Sequence, residues 1–245
     1  DTYVPLYVRD GQINTQYIMT TLEELGLLKM DFLGLRNLTV IQNTIDMVKE
    51  NHGIDVEFDQ DMSDLKVYKL WQDGNTSGIF QFESQGMTNF MKELKPDCLE
   101  DLIAGVSLYR PGPMDQIPRY IRGKQNPGHN EYTHPSLEPI LNVTYGCMVY
   151  QEQVMQIVRD LAGYSLGRAD LVRRAMGKKK LDVMAKEREV FIHGQVDENG
   201  NIEVPGCVRN GIDEVSANKI FDEMAEFAKY AFNKSHAACY AVVSY

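Results

Sequence analysis

Apolar residues recur at spacings of three and four along most of the chain, and that period predicts a largely helical molecule. Leu38, Ile41, Ile45 and Val48 fall on one helix face and Gly53 supplies a stop, so a helix is predicted over 35–51. Further helices are predicted over 64–72, 83–94, 99–108, 149–161, 169–176, 181–191 and 214–230. A last one follows Asn233-Lys234-Ser235-His236, with Ser235 as its cap. Tyr109-Arg110-Pro111-Gly112-Pro113 must end the 99–108 helix, because Pro111 has no backbone donor and disfavours a helical residue before it. Residues 114–135, rich in Pro, Gly, Asn and His, read as the longest loop. Residues 1–26 mix polar and apolar positions without a strong period.

β signals are few. The run Leu27-Leu28-Lys29-Met30-Asp31-Phe32-Leu33-Gly34 is apolar but short, a length that suits a strand better than a helix. Residues 195–204 partly alternate around Asn199-Gly200, the preferred centre of a two-residue hairpin turn. The expected fold class is therefore mainly α with a small β contribution (α+β), without internal repeats or low-complexity tracts.

Composition narrows the function classes. With 43% hydrophobic and 24% charged residues, the chain is neither disordered nor collagen-like. Its net charge of −10 argues against a protein that coats nucleic acid by charge alone. No apolar run approaches the roughly 18–20 residues of a membrane span. Cys98, Cys147, Cys207 and Cys239 form no CxxC or CxxH pair, so neither a zinc site nor a disulfide framework is expected. Unpaired cysteines without a secretion signal favour a reducing, cytoplasmic setting. A start at Asp1 without methionine and an end inside the apolar stretch Ala241-Val242-Val243 are read as those of an internal piece of a longer protein.

Charge is distributed unevenly. Between Arg168 and Arg188 lie eight cations (Arg168, Arg173, Arg174, Lys178, Lys179, Lys180, Lys186, Arg188) and three anions (Asp170, Asp182, Glu187). That local +5 leaves −15 for the rest, which points to a localised anion site. Arg173 and Arg174 can grip phosphate with planar forks, and Lys178 can add a point charge. A phosphate-cradling P-loop is excluded, because Val172 and Lys179 stand where that motif needs Gly and Ser or Thr. Asn233, Lys234, Ser235 and His236 place polar groups at a helix N-terminus, where anions are favoured. Asp31, two residues from Lys29, is the best single candidate for a magnesium-binding carboxylate. Each feature also has an ordinary explanation: a solvated helix face, a capped turn, an ion-paired aspartate.

Six segments, taken in order, resemble the catalytic α subunits of bacterial DNA polymerase III, the C-family replicative polymerases. They are residues 29–36, Gly78-Ile79-Phe80-Gln81-Phe82-Glu83-Ser84, Arg110-Pro111-Gly112-Pro113, Tyr150-Gln151-Glu152-Gln153-Val154-Met155, Arg173-Arg174-Ala175-Met176-Gly177-Lys178-Lys179-Lys180 and Phe232-Asn233-Lys234-Ser235-His236. The resemblance implies the end of a polymerase palm over 1–36 and a helical fingers domain over 37–245. The hairpin at 195–204 looks like an insertion. It also implies two-magnesium nucleotidyl transfer from deoxynucleoside triphosphates to a primer 3′-hydroxyl on template DNA.

In that family three palm aspartates bind the metals, and Asp31 matches the third. Lys29, on the same strand face, neutralises triphosphate charge. Arg173, Arg174, Lys178 and, more weakly, Arg110 match triphosphate contacts, and Asn233 to His236 match a turn lining the nucleotide pocket. The upstream Asp-x-Asp pair has no counterpart in residues 1–30, so the chain alone is expected to be inactive. Contacts with other replicative subunits are expected to fall outside it. A non-enzymatic nucleic-acid or polyphosphate-binding module would use the same cationic island without Asp31. A purely structural helical domain would show no nucleotide affinity.

Overall fold

Helices dominate the computed structural model, which describes residues 2–28, 30, 34–58, 61–177 and 181–245; its only sheets among these are two antiparallel hairpins. The mainly α expectation with a small β contribution holds. The chain forms two compact units, Asp1–Phe58 and Asp59–Tyr245.

In the first unit, β1 (Leu6–Arg9) pairs with β2 (Gln12–Thr15) in the register Leu6 to Thr15 through Arg9 to Gln12. The turn between them is Asp10-Gly11, with φ of 51° and 76°, the left-handed pair that a tight hairpin needs. This hairpin corrects the reading of 1–26 as unpatterned. Helix α1 (Met19–Glu24) follows, then α2 (Arg36–His52), closed by Gly53 at φ 68° as expected. Of the strand expected at 27–34, only Leu27, Leu28, Met30 and Gly34 are described, and none of them is in a strand. Lys29 and 31–33 lie outside the described residues.

The second unit holds α3 (Leu65–Asp73), α4 (Gln85–Leu94), α5 (Leu99–Leu108), α6 (Ile117–Gln125) and the short α7 (Glu138–Leu141). It continues with α8 (Gln151–Ala162), α9 (Leu166–Gly177), α10 (Leu181–His193), α11 (Glu214–Phe227) and α12 (Lys234–Ser244). Side-chain caps start several of them: Asp64 accepts from Lys66 N, Ser84 from Met87 N and Asp213 from Ser216 N. Two hydrophobic cores result. One joins α8–α11 around Ile157, Val158, Phe191, Phe221 and Met224. The other joins α3–α6 and α12 around Trp71, Phe82, Met91, Leu102 and Tyr120. Helix α5 is apolar on every side and buried from Asp101 through Leu108.

Three local expectations change. The loop expected at 114–135 contains α6, because Pro118 falls in the first turn, where a missing N–H costs no bond. Ile117, Tyr120 and Ile121 then share its inner face. The cap of α12 is Asn233, whose Oδ1 accepts from His236 N at 2.8 Å, and not Ser235. The hairpin of β3 (Gln195–Val196) and β4 (Ile202–Val204) closes through residues 197–201 rather than a two-residue turn. There the Asp197 carboxylate accepts from the backbone of Asn199 and Asn201 and wraps the loop around itself.

Candidate functional site

The two cores meet where α8 and α12 begin. Tyr150 and Phe232 form a parallel β-bridge just before these helices, and Gln151 N donates to Phe232 O at 2.9 Å. Gln153 sets the approach from the α8 side. Its buried amide accepts from Val149 N and Tyr150 N and donates to Thr144 Oγ1. Several of the sequence-predicted residues lie along this seam.

Arg110 reaches it from the end of α5. Pro111 stops the helix, and the turn folds the guanidinium back to donate to Ser107 O (3.1 Å) and Tyr230 O (3.0 Å). The same guanidinium lies 3.9 Å above the Phe232 ring, and burial lowers its pKa from the usual arginine value. Gly112 is required here: its φ is 101°, and a Cβ would fall 2.5 Å from the Tyr230 ring. Arg110 lines a cavity of about 420 Å³ together with Gln81, Ser84, Tyr109, Phe232 and His236. The exposed His236 imidazole packs edge-on to Phe232 and 4.3 Å from the Tyr240 ring centre.

The N-terminus of α12 is an anion site, and it is filled from within. Glu152, in the first turn of α8, accepts from Asn233 Nδ2 (3.0 Å) and from Lys234 N (3.1 Å). One carboxylate thus satisfies donors at the head of α12 while sitting favourably at the positive end of its own helix. Lys234 Nζ lies 5.3 Å from the Tyr150 ring centre. Ser235 is exposed and makes no side-chain hydrogen bond among the described residues.

Arg173 approaches from α9. Its Nη1 donates to Gln151 Oε1 (3.0 Å), and its Nε and Nη2 donate to Asp170 Oδ1 (3.1 and 2.7 Å). Arg174 Nε pairs with the other oxygen, Oδ2, at 2.7 Å. The hydrogen bond from Arg173 is the main cause holding the Asp170 pKa below the usual carboxylate value.

Arg110, Arg173, Asn233, Lys234 and His236 therefore belong to one continuous network, with Arg174 attached through Asp170. Lys29, Asp31 and Lys178 lie outside the described residues. The rest of the cationic island divides. Arg168 is spent on Glu187 and Gln195, and Arg188 on Asp222 and Asn218, so both are structural. Sequence reasoning missed Glu152, Gln151 and Asp170. For Asp170 the signal was its position three and four residues before the arginines, one helical turn away.

Among the described residues, one group has metal-ligand proximity: Asp97, Cys98 and Asp101, whose ligand atoms lie within 4.8 Å of one another. It does not fit magnesium. Lys124 Nζ already donates to Asp97 (2.7 Å) and Asp101 (2.6 Å), and burial pushes the Cys98 thiol up to about 11. A protonated thiol is a poor partner for a hard cation.

Comparison with known proteins places these features in context. The family described as "Bacterial DNA polymerase III alpha subunit finger domain" matches residues 37–199. The chain is 46% identical over 99% of its length to the DNA polymerase III subunit alpha of Aquifex aeolicus. It is 49% identical over 97% of its length to that of Thermus aquaticus, and 44% identical over 99% to that of Staphylococcus aureus. It spans 20%, 19% and 22% of those three proteins. No helix among the described residues is long and apolar enough to cross a membrane.

Proposed function

Because the chain belongs to the bacterial DNA polymerase III α-subunit family, we propose that it carries the end of the palm (1–36) and much of the fingers (37–245) of a replicative DNA-directed DNA polymerase. Its substrates are primer–template DNA and the four deoxynucleoside triphosphates, in the cytoplasm and alongside other replicative subunits bound elsewhere on the protein. The observation that carries this reading is the network joining Arg110, Arg173, Asn233, Lys234 and His236 across the seam between two cores. A composition-driven cationic surface has no reason to converge in this way.

In the reaction a primer 3′-hydroxyl attacks the α-phosphate and pyrophosphate leaves. The triphosphate is negatively charged before and during the reaction, so fixed guanidinium donors bind it in the ground state and the transition state alike. Arg173 and Arg174 are the donors proposed for this role, with Lys178 in support. Arg110, held over Phe232, faces the cavity in which His236 and Tyr109 supply ring faces for the nucleotide. Asn233 and Lys234, clamped by Glu152, hold the turn that lines it.

Magnesium, bound as two ions in the complete site, supplies Lewis acidity at the reacting phosphate. Asp31 is its proposed ligand in this chain, and Lys29 is proposed to neutralise triphosphate charge. The described carboxylates do not form the metal site, so the chain's contribution derived above is binding and orientation.

Primer extension tests the reading. Arg173→Ala in the full-length subunit is expected to raise the KM for all four deoxynucleotides alike, by about 10- to 160-fold for a charge-assisted contact of roughly 1.5–3 kcal/mol. The purified 245-residue chain should give no product in the same assay, since the family's upstream Asp-x-Asp pair has no counterpart in residues 1–30 and the pair Asp59 and Asp61 follows Asp31 instead of preceding it. A defect confined to one base would contradict a triphosphate role, and product from the chain alone would show that its own carboxylates suffice.

A further inference from the structure

Two neighbouring cations on one helix repel, yet Arg173 and Arg174 stand side by side on α9. A single carboxylate one turn earlier holds both. Asp170 Oδ1 takes Nε and Nη2 of Arg173, and Oδ2 takes Nε of Arg174 at 2.7 Å. Gln151 adds a third anchor on Arg173 Nη1. Arg174 is gripped by its Nε edge alone. Both its Nη groups lack a partner among the described residues, on a side chain that is 62% exposed.

We propose that Asp170 is a positioning residue, which locks Arg173 and Arg174 into one preformed clamp that presents the open Nη groups of Arg174 to the triphosphate. The proposal rests on the triphosphate reading above and adds the element that orders the site before substrate arrives. A free arginine must surrender its rotamer freedom on binding; a pair already held surrenders less. The charge balance also suits the task, since two guanidiniums share one carboxylate and keep a net positive charge for phosphate. An internal competitor for the phosphate site would cover the Nη forks of both arginines, and Asp170 leaves that of Arg174 open.

Steady-state primer extension by the full-length subunit decides the matter. Asp170→Ala should raise the KM for all four deoxynucleotides about tenfold, the loss of roughly one charge-assisted contact, with kcat within about twofold. Asp170→Glu keeps a carboxylate at the same helical spacing and should bring KM back to within about threefold of the parent. The unfolding midpoint should stay nearly fixed, because partly exposed ion pairs contribute little. Should Asp170→Ala fail to fold, Asp170→Asn keeps the size and one acceptor oxygen, and it should raise KM by a smaller factor. An unchanged KM, with Arg173→Ala still defective, overturns the positioning role and leaves the triphosphate reading standing. A lowered KM makes Asp170 a competing anion and also overturns it. No defect in Arg173→Ala overturns both.

Discussion

Lys124 and the Arg173–Arg174 pair are both cations held by aspartate, and they differ in how much of the cation the fold leaves open. Lys124 Nζ donates to Asp97 and Asp101, and its side chain is 12% exposed against 1% for Asp101. One cation faces two carboxylates, so the local surplus is negative; the Lys124 and Asp101 side chains are largely buried, and that of Asp97 is 59% exposed. Burial alone would lower the Lys124 pKa, but the hydrogen bonds to Asp101 and Asp97 outweigh it and leave the ammonium above its ordinary value. Asp97 is pulled down by the Lys124 hydrogen bond, while burial pushes Asp101 up. Asp101 Oδ1 is buried with no hydrogen-bond partner among the described residues. At the arginine pair the ratio is reversed, with two cations to one carboxylate and Arg174 well exposed. The arginine pair keeps open donors at the surface, whereas the ammonium of Lys124 is largely buried and bonded to a buried Asp101.

The comparison can be broken most severely at Lys124. Lys124→Ala leaves Asp101 buried without its counter-charge and should cost about 3–5 kcal/mol, read from the urea midpoint of the chain. A loss below about 1 kcal/mol would show that the cluster behaves like a surface pair. Cys98 offers a second reading. With its thiol near 11, mainly through burial, its thiolate fraction at pH 8 is about 10⁻³, so alkylation should be slow beside that of the exposed Cys239. Equal labelling of both would mean that the cluster is open to solvent.

The smallest effect is expected in acid. The Asp170 pKa is held below 3.8, first by the Arg173 hydrogen bond, so its stabilising contribution is present above the ordinary carboxylate value. That contribution disappears as the pH falls through the lower folded value. Carboxyl NMR of Arg173→Ala should show the Asp170 midpoint moving up, and an unmoved midpoint would assign the shift to another group.

Much of the fold was legible in spacing. Leu38, Ile41 and Ile45 set α2, and Gly53 ended it, because local propensity and capping act within a few residues. The Asp10-Gly11 hairpin was readable in principle, but its strands are four residues each and too short for a period to stand out. Helix α6 was hidden by composition: Pro118 and Gly123 argue for a loop, whereas Tyr120, buried against Tyr145, decides for a helix. At the site, the arginines and the Asn233–His236 turn were visible as residue types. Their counter-groups were not, because Glu152 lies 81 residues from Asn233 and no local pattern announces that distance. Counting charge between Arg168 and Arg188 also overstated the free cation, since Arg188 pairs with Asp222 and Arg168 reaches Glu203, both outside that span.

The bridge between Tyr150 and Phe232 works as the fixed stop of a caliper. One jaw is the α8–α11 core with Arg173; the other is the α5–α12 core with Arg110. Sliding either jaw by one residue along the seam would break the Gln151–Phe232 bond and the Glu152 grip on Asn233 and Lys234 together. Backbone register at this bridge therefore helps to set where Arg110 and Arg173 stand along the seam, beside the reach of their own side chains.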